Sequence, residues 1–174
     1  MIPATHTGEE GFDLLLDESD RAAVTEKLIA AGAQPVSPDI FETLRIEAGI
    51  PRQGQDMDET NVVLEANLDD AISYTKGCYV GQEIIIRIKH RGHVAKKLSG
   101  IRFHEPVEPG ETINSAEGKE IGRVTSATYS PELESPIALG YLRYEYLAPG
   151  TAVKVDDISG TVVELPFVRG GWHE

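Results

Sequence analysis

Lys97-Leu98-Ser99-Gly100-Ile101-Arg102-Phe103 opens a series of short β-type runs that continues over 121–129, 137–142, 152–155 and 161–165. Pro109-Gly110, Ser130-Pro131, Pro149-Gly150 and Ser159-Gly160 separate the runs. Short strands at regular spacing, punctuated by Gly and Pro, predict a small antiparallel barrel or sandwich over residues 96–174. No internal repeat and no low-complexity tract interrupts them.

Upstream of Val94 the texture is different. Residues 11–16 predict a short strand. A helix is predicted over 18–31, where Val24, Leu28 and Ala31 recur at i, i+4, i+7 and Gly32 follows as a stop. Ser37-Pro38 opens a second helix, with Ser as the cap and Pro at the first helical position. Its apolar stripe is Phe41, Leu44 and Ala48, and it ends at Gly49 before Pro51. Residues 54–59 read as a polar loop, and an ordered stretch over 62–74 leads to the turn Lys76-Gly77. A third helix is predicted over 81–89, breaking at Gly92. The expected fold class is therefore α+β, with an α+β region over 1–95 and an antiparallel β-barrel domain over 96–174.

The 174 residues include 16 Lys+Arg and 29 Asp+Glu, a net charge of −13. Such a balance argues against general nucleic-acid binding. A hydrophobic share of 40% excludes wholesale disorder. The densest apolar run, Ile84-Ile85-Ile86, stops at Arg87, far short of the ~18–20 residues of a membrane span. The first twenty residues hold six acids and no base, which does not fit a secretory or transit leader. Cys78 is the single cysteine, which excludes an internal disulfide and fits a reducing cytosol or a matrix-like compartment, the cytoplasmic setting being the expected one.

The charge is unevenly spread. Residues 73–104 carry seven bases and one acid, while the flanks are acidic. Lys76, Arg87, Lys89, Arg91, Lys96, Lys97 and Arg102 form either a solvated face or a docking strip for an anionic ligand.

Three segments could carry chemistry. In Lys76-Gly77-Cys78-Tyr79-Val80-Gly81-Gln82-Glu83 a thiol precedes a predicted helix start and follows a lysine. That is the environment of a reactive thiol, although a lone cysteine is also commonly an inert packing residue. In Thr7-Gly8-Glu9-Glu10-Gly11-Phe12 a carboxylate sits in a Gly-bounded turn. It reads as an ordinary solvated turn or as an acceptor for the amino and ring N–H groups of a heterocycle. In Glu42-Thr43-Leu44-Arg45-Ile46-Glu47-Ala48-Gly49 the acid and base stand at i, i+3. They read as a surface helix pair, or Arg45 presents a planar fork to a ligand carboxylate. His90 and His93 flank a helix break, and with one cysteine in the chain no metal site is expected.

In this order the segments resemble the folate-binding superfamily of the glycine cleavage T protein, the aminomethyltransferase. Residues 7–12 resemble that family's T-G-E-x-G-[FY] element, and residues 44–51 its L-R-x-E-A-G-x-P element. T proteins tend to carry K-x-D-F-I-G-R-E where this chain has K-G-C-Y-V-G-Q-E. The latter octapeptide, with Lys76, Gly77, Cys78, Tyr79, Gly81, Gln82 and Glu83, resembles the YgfZ-type branch, which is linked to iron–sulfur protein maintenance and associated with tRNA modification.

The resemblance covers what would be the C-terminal half of a family member. It implies tetrahydrofolate as ligand, Glu9 and Arg45 as its contacts, and Cys78 as a reactive or relay thiol. The family's catalytic aspartate has no counterpart among these residues, so catalysis and folate binding by this chain alone are not implied. The implied function is assistance to iron–sulfur protein assembly or repair, with an iron–sulfur client as partner. The alternatives are one-carbon transfer to tetrahydrofolate by a T protein, and a non-enzymatic module docking a protein or tRNA. Half of a composite domain also implies uncovered apolar helix faces, and hence self-association.

Overall fold

The structure is a computed structural model that describes residues 1–169; residues 170–174 of the region expected over 96–174 lie outside the described residues. The elements are β1 (Ile2–Ala4), β2 (Gly11–Asp13), α1 (Arg21–Ala30), α2 (Pro38–Glu47) and α3 (Gln82–Arg91), then β3 (Lys96–Phe103), β4 (Thr112–Ser115), β5 (Glu120–Ser130), β6 (Ser135–Arg143), β7 (Ala152–Val155) and β8 (Ile158–Val163). Short 3-10 turns at Val63–Ala66 and Asp69–Ala71 bridge α2 to α3.

The fold is α+β. Strands β3-β6-β5-β4-β7-β8 form a closed antiparallel barrel, while β1 and β2 make a separate two-stranded sheet. Closure removes the exposed edges that an open sheet of this size would carry. Inward-facing Ile101, Phe103, Ile113, Val124, Leu142, Val153 and Val162 fill the barrel. A second cluster lies outside it, where Ile46 of α2 meets Leu98, Ile137, Leu139 and Tyr141. Strand β6 is thus buried on both faces, and its sequence is apolar at successive positions rather than alternating.

Several expectations are corrected. The short strand predicted over 11–16 stops at Asp13, and Leu14, Leu15 and Leu16 are exposed. The unpredicted partner is β1, paired Ile2↔Asp13 and Ala4↔Gly11. Strand β4 was not expected either; its four residues Thr-Ile-Asn-Ser are too short to show a period. Ser159-Gly160 is not a turn. The turn falls at Asp156-Asp157, with Asp156 at φ +48°, and Gly160 lies within β8. Glycine is required there for close approach, since a Cβ would stand 2.5 Å from Cδ1 of Phe103.

Helix α1 buries none of its residues among those described; of the stripe Val24, Leu28 and Ala31, only Val24 is half-buried and the other two are exposed. Helix α2 is capped as expected: Ile40 N–H donates to Ser37 Oγ at 3.3 Å, with Pro38 in the first position. Its buried face is different from the predicted one. Leu44 is exposed, whereas Arg45, Ile46 and Glu47 are buried against the barrel. The helix turns a largely polar face inward because β5 offers it hydroxyls and the 52–57 loop a buried carboxylate.

Candidate functional site

The two elements at residues 7–12 and 44–51 meet in space. Gly8 at the tip of the β1–β2 hairpin adopts φ +80° and touches the end of α2, where an added Cβ would lie 2.9 Å from the Cβ of Ala48. Gly49 follows at φ +70°, closed against Leu165. Both glycines are needed for these approaches, since L side chains disfavour positive φ. The hairpin is further tied by His6 Nε2 to the Asp13 carboxylate at 2.9 Å. Between hairpin, helix end and β3 runs a groove of about 1280 Å³, lined by His6, Asp13, Gly49, Asn67, Lys97 and Ser99 among others. Glu9 sits exposed on the same hairpin, and its carboxylate has no partner among the described residues.

Arg45 has another assignment. Its Nη1 donates to Asp56 Oδ2 at 2.5 Å and to the Ile50 carbonyl at 3.2 Å. Its Nη2 donates to Ser126 Oγ at 2.6 Å and to Glu42. The residue is 2% exposed. The reading of Glu42 and Arg45 as a surface pair is therefore replaced by a buried cluster, and the guanidinium fork is held by protein acceptors rather than offered to a ligand. Asp56 completes the cluster, accepting also from Arg52 N–H at 2.9 Å, Thr125 Oγ1 at 2.5 Å and Ser126 Oγ at 2.6 Å. Arg45 donates to Glu42 and holds its carboxyl below the ordinary range, with the Arg45 and Arg52 charges and Gln55 adding against burial. Glu47 is likewise buried and accepts from Ser130.

Asp56 and Ser126 were not singled out in the sequence. An aspartate in a polar loop reads as solvated, and a strand serine as filler. Only the return of the 52–57 loop onto β5 puts both beneath Arg45.

Cys78 is exposed, so the reading of a buried packing residue is not met. It lies in the loop before α3, whose N-cap is Gly81 at φ +85°. Lys76 places its Nζ 4.9 Å above the Tyr79 ring. The Tyr79 hydroxyl is buried without a partner. Glu83 pairs with Arg87 one turn on, at 2.8 Å. The octapeptide is the loop that enters α3, and no hydrogen bond, ion pair or ring contact among the described residues joins it to Glu9 or Arg45, so the structure does not gather Glu9, Arg45 and Cys78 into one site. Among the described residues, no group of three or more His, Cys, Asp or Glu side chains could hold a metal ion. No helix among them is long and apolar enough to cross a membrane.

For tetrahydrofolate the residues present fit one side only. Exposed Glu9 suits the donors of a pterin ring, because a carboxylate accepts from paired N–H groups. Arg45 does not suit the ligand's carboxylates, because they would have to displace Asp56 or Glu42.

Residues 96–169 match the glycine cleavage T-protein C-terminal barrel domain, and residues 1–76 match the GCVT N-terminal domain. A protein of Arabidopsis thaliana described as a putative chloroplastic transferase is 37% identical over 161 residues, covering 92% of this chain and 37% of that protein. An aminomethyltransferase of Symbiobacterium thermophilum is 36% identical over 174 residues, covering 94% of this chain and 46% of the relative. The crystal structure of the glycine cleavage system aminomethyltransferase T from Bartonella henselae superimposes with a TM-score of 0.83 at 28% identity, over 94% of this chain and 48% of that one. The chain spans about half the length, or less, of these relatives.

Proposed function

Because the chain belongs to the superfamily of the glycine cleavage T protein, we propose that it supplies one wall of a tetrahydrofolate site in a one-carbon transferase of the aminomethyltransferase type. The observation that supports this is the contact of Gly8 with Ala48, which seats the hairpin carrying the unpartnered Glu9 on the end of α2, while His6 and Asp13 of the same hairpin line the groove toward the barrel. Glu9 would hold the pterin, and Arg45 would act indirectly, by fixing the end of α2 that the hairpin rests on. Bound tetrahydrofolate would supply the amine that receives the one-carbon unit. Calorimetric titration with tetrahydrofolate under reducing conditions tests the reading. A wall without its opposite side leaves much of the ligand in water, so affinity of order 0.1–1 mM is expected, roughly 4–5.5 kcal/mol. Glu9→Gln should weaken it about tenfold, the worth of one charge-assisted hydrogen bond. Affinity unchanged in Glu9→Gln removes the reading.

A second reading rests on Cys78. Its exposure, and the Cys78-Tyr79 pair where T proteins tend to have Asp-Phe, favour the YgfZ-type branch. There the whole protein would use tetrahydrofolate in iron–sulfur protein assembly or repair, with Cys78 as the reactive or relay thiol. Two measurements on Cys78→Ser separate the readings. A one-carbon transferase keeps its transfer rate, whereas a maintenance factor loses the recovery of a labile [4Fe–4S] dehydratase in cells after oxidative stress.

Self-association is proposed as well. Leu28 and Ile29 of α1, and Ile40 and Leu44 of α2, are exposed large apolar residues. Such patches usually find partners. Light scattering at micromolar concentration should show species larger than the 18.9 kDa monomer.

A further inference from the structure

A second cleft lies on the outer wall of the barrel, apart from the groove at the hairpin. It measures about 680 Å³, within the range of small-molecule sites, and is roofed by the 54–61 loop. Strand register decides what faces it. Lys96 of β3 pairs directly with Arg143 of β6, and Tyr141, two residues before Arg143, pairs with Arg123 of β5. Residues two apart on a strand share a face, as do directly paired residues. Lys96, Arg143, Tyr141 and Arg123 therefore stand together on one face of three adjacent strands.

Two like charges directly opposite across a strand pair are destabilising. Among the described residues none of Lys96, Arg143 and Arg123 forms an ion pair; Lys96 has only the Tyr141 ring and the more distant attraction of Asp58, and Arg123 Nε donates to the Gly110 carbonyl at 2.9 Å. The chain has 29 acids against 16 bases, so partners were abundant. The acids that do line the cleft are largely committed. Asp56 is held by Arg45, Thr125 and Ser126, and Asp58 by Thr60 N–H at 2.8 Å and Thr60 Oγ1 at 2.6 Å. Glu120 at the rim is the remaining one. The Tyr141 hydroxyl is buried and without a partner in a residue 8% exposed, under the Lys96 ammonium, 4.9 Å above the ring. Gly122 leaves the floor bare, since a Cβ there would stand 2.0 Å from the Tyr141 carbonyl oxygen.

We propose that this cleft binds a small oxyanion ligand, a phosphate monoester or a carboxylate, through Lys96, Arg143 and Arg123, with the Tyr141 hydroxyl as a neutral donor. The guanidinium forks match either group, and the bound anion neutralises the cross-strand repulsion.

The test is thermal unfolding and calorimetry of the full chain with inorganic phosphate, and separately with citrate, against sodium chloride at equal ionic strength. Phosphate or citrate should raise the midpoint beyond the chloride control and bind saturably. The better of the two identifies the source chemistry. Arg143→Gln should leave the unliganded midpoint equal or higher, since a repulsion is removed, yet weaken binding about tenfold. Tyr141→Phe should weaken binding less. Equal shifts with chloride would mean screening alone and would overturn the proposal, as would binding unchanged in Arg143→Gln. Should Arg143→Gln lower the unliganded midpoint, Lys96→Gln provides the second reading, and undiminished phosphate binding in that variant overturns it too.

Discussion

The barrel and the N-terminal hairpin-and-helix region obey different rules in one chain. Every barrel strand buries side chains against another strand, and the barrel core closes upon itself. Helix α1 buries nothing, and Phe12, Leu15 and Val36 stand more than half exposed. Between them, α2 is joined to the barrel by the apolar contact of Ile46 and by a cluster of buried polar groups. The difference teaches that the barrel is a self-sufficient packing unit, while the N-terminal region is held by a polar fastening at one end and open at the other.

The largest effect should come from the barrel core. Phe103 is buried among Val107, Val153 and their neighbours, so Phe103→Ala should cost about 3–5 kcal/mol in denaturant unfolding. An effect near zero would break the comparison at its stronger side.

The fastening comes next. Asp56→Ala leaves Arg45 buried without one of its two carboxylates and should cost about 3 kcal/mol. Its signature differs from that of Phe103→Ala. Amide exchange should accelerate in α2 and the hairpin before it does in β3 and β6. Uniform acceleration would mean the two regions unfold as one.

The same fastening gives a pH dependence. Glu42 titrates lower in the folded chain than its ordinary ~4.3, because Arg45 donates to it. A lowered folded value stabilises above the unfolded value, and that stability is lost as pH falls through the folded one. Stability should therefore decline on acidification below about pH 4.5, and Glu42→Gln should flatten that decline. Tyr141 works in the opposite direction. Burial, with Glu65, Asp56 and Asp58 adding, pushes its phenol up to about 12. Its stabilising share is complete below ~10 and is lost as pH rises toward 12. Tyr141→Phe should remove that alkaline decline.

The smallest effect is expected in α1. Leu28→Ala should change the monomer's stability by no more than about 0.5 kcal/mol, since the residue is exposed on a helix that buries none of its residues. A larger loss at high protein concentration only would point to a second copy covering the face.

How much of this was legible beforehand depends on the distance over which each feature is decided. The Ser37-Pro38 start, the Gly49 stop and the helix after Gly81 were readable because caps and breakers act within one turn. The barrel was readable because its strands repeat with Gly and Pro between them. Gly160 misled for the same reason: a strand glycine and a turn glycine look alike until Phe103 is known to lie across it.

By itself, then, the sequence determined the α+β class, the helix starts, the run of strands and the elements around Glu9 and Cys78. Each of these is specified by neighbours a few residues apart. Only the tertiary structure decided that Arg45 faces inward, because its partners Asp56 and Ser126 lie 11 and 81 residues away. It alone decided that Lys96 stands opposite Arg143, because a one-residue slip in register would send either side chain to the other face of the sheet.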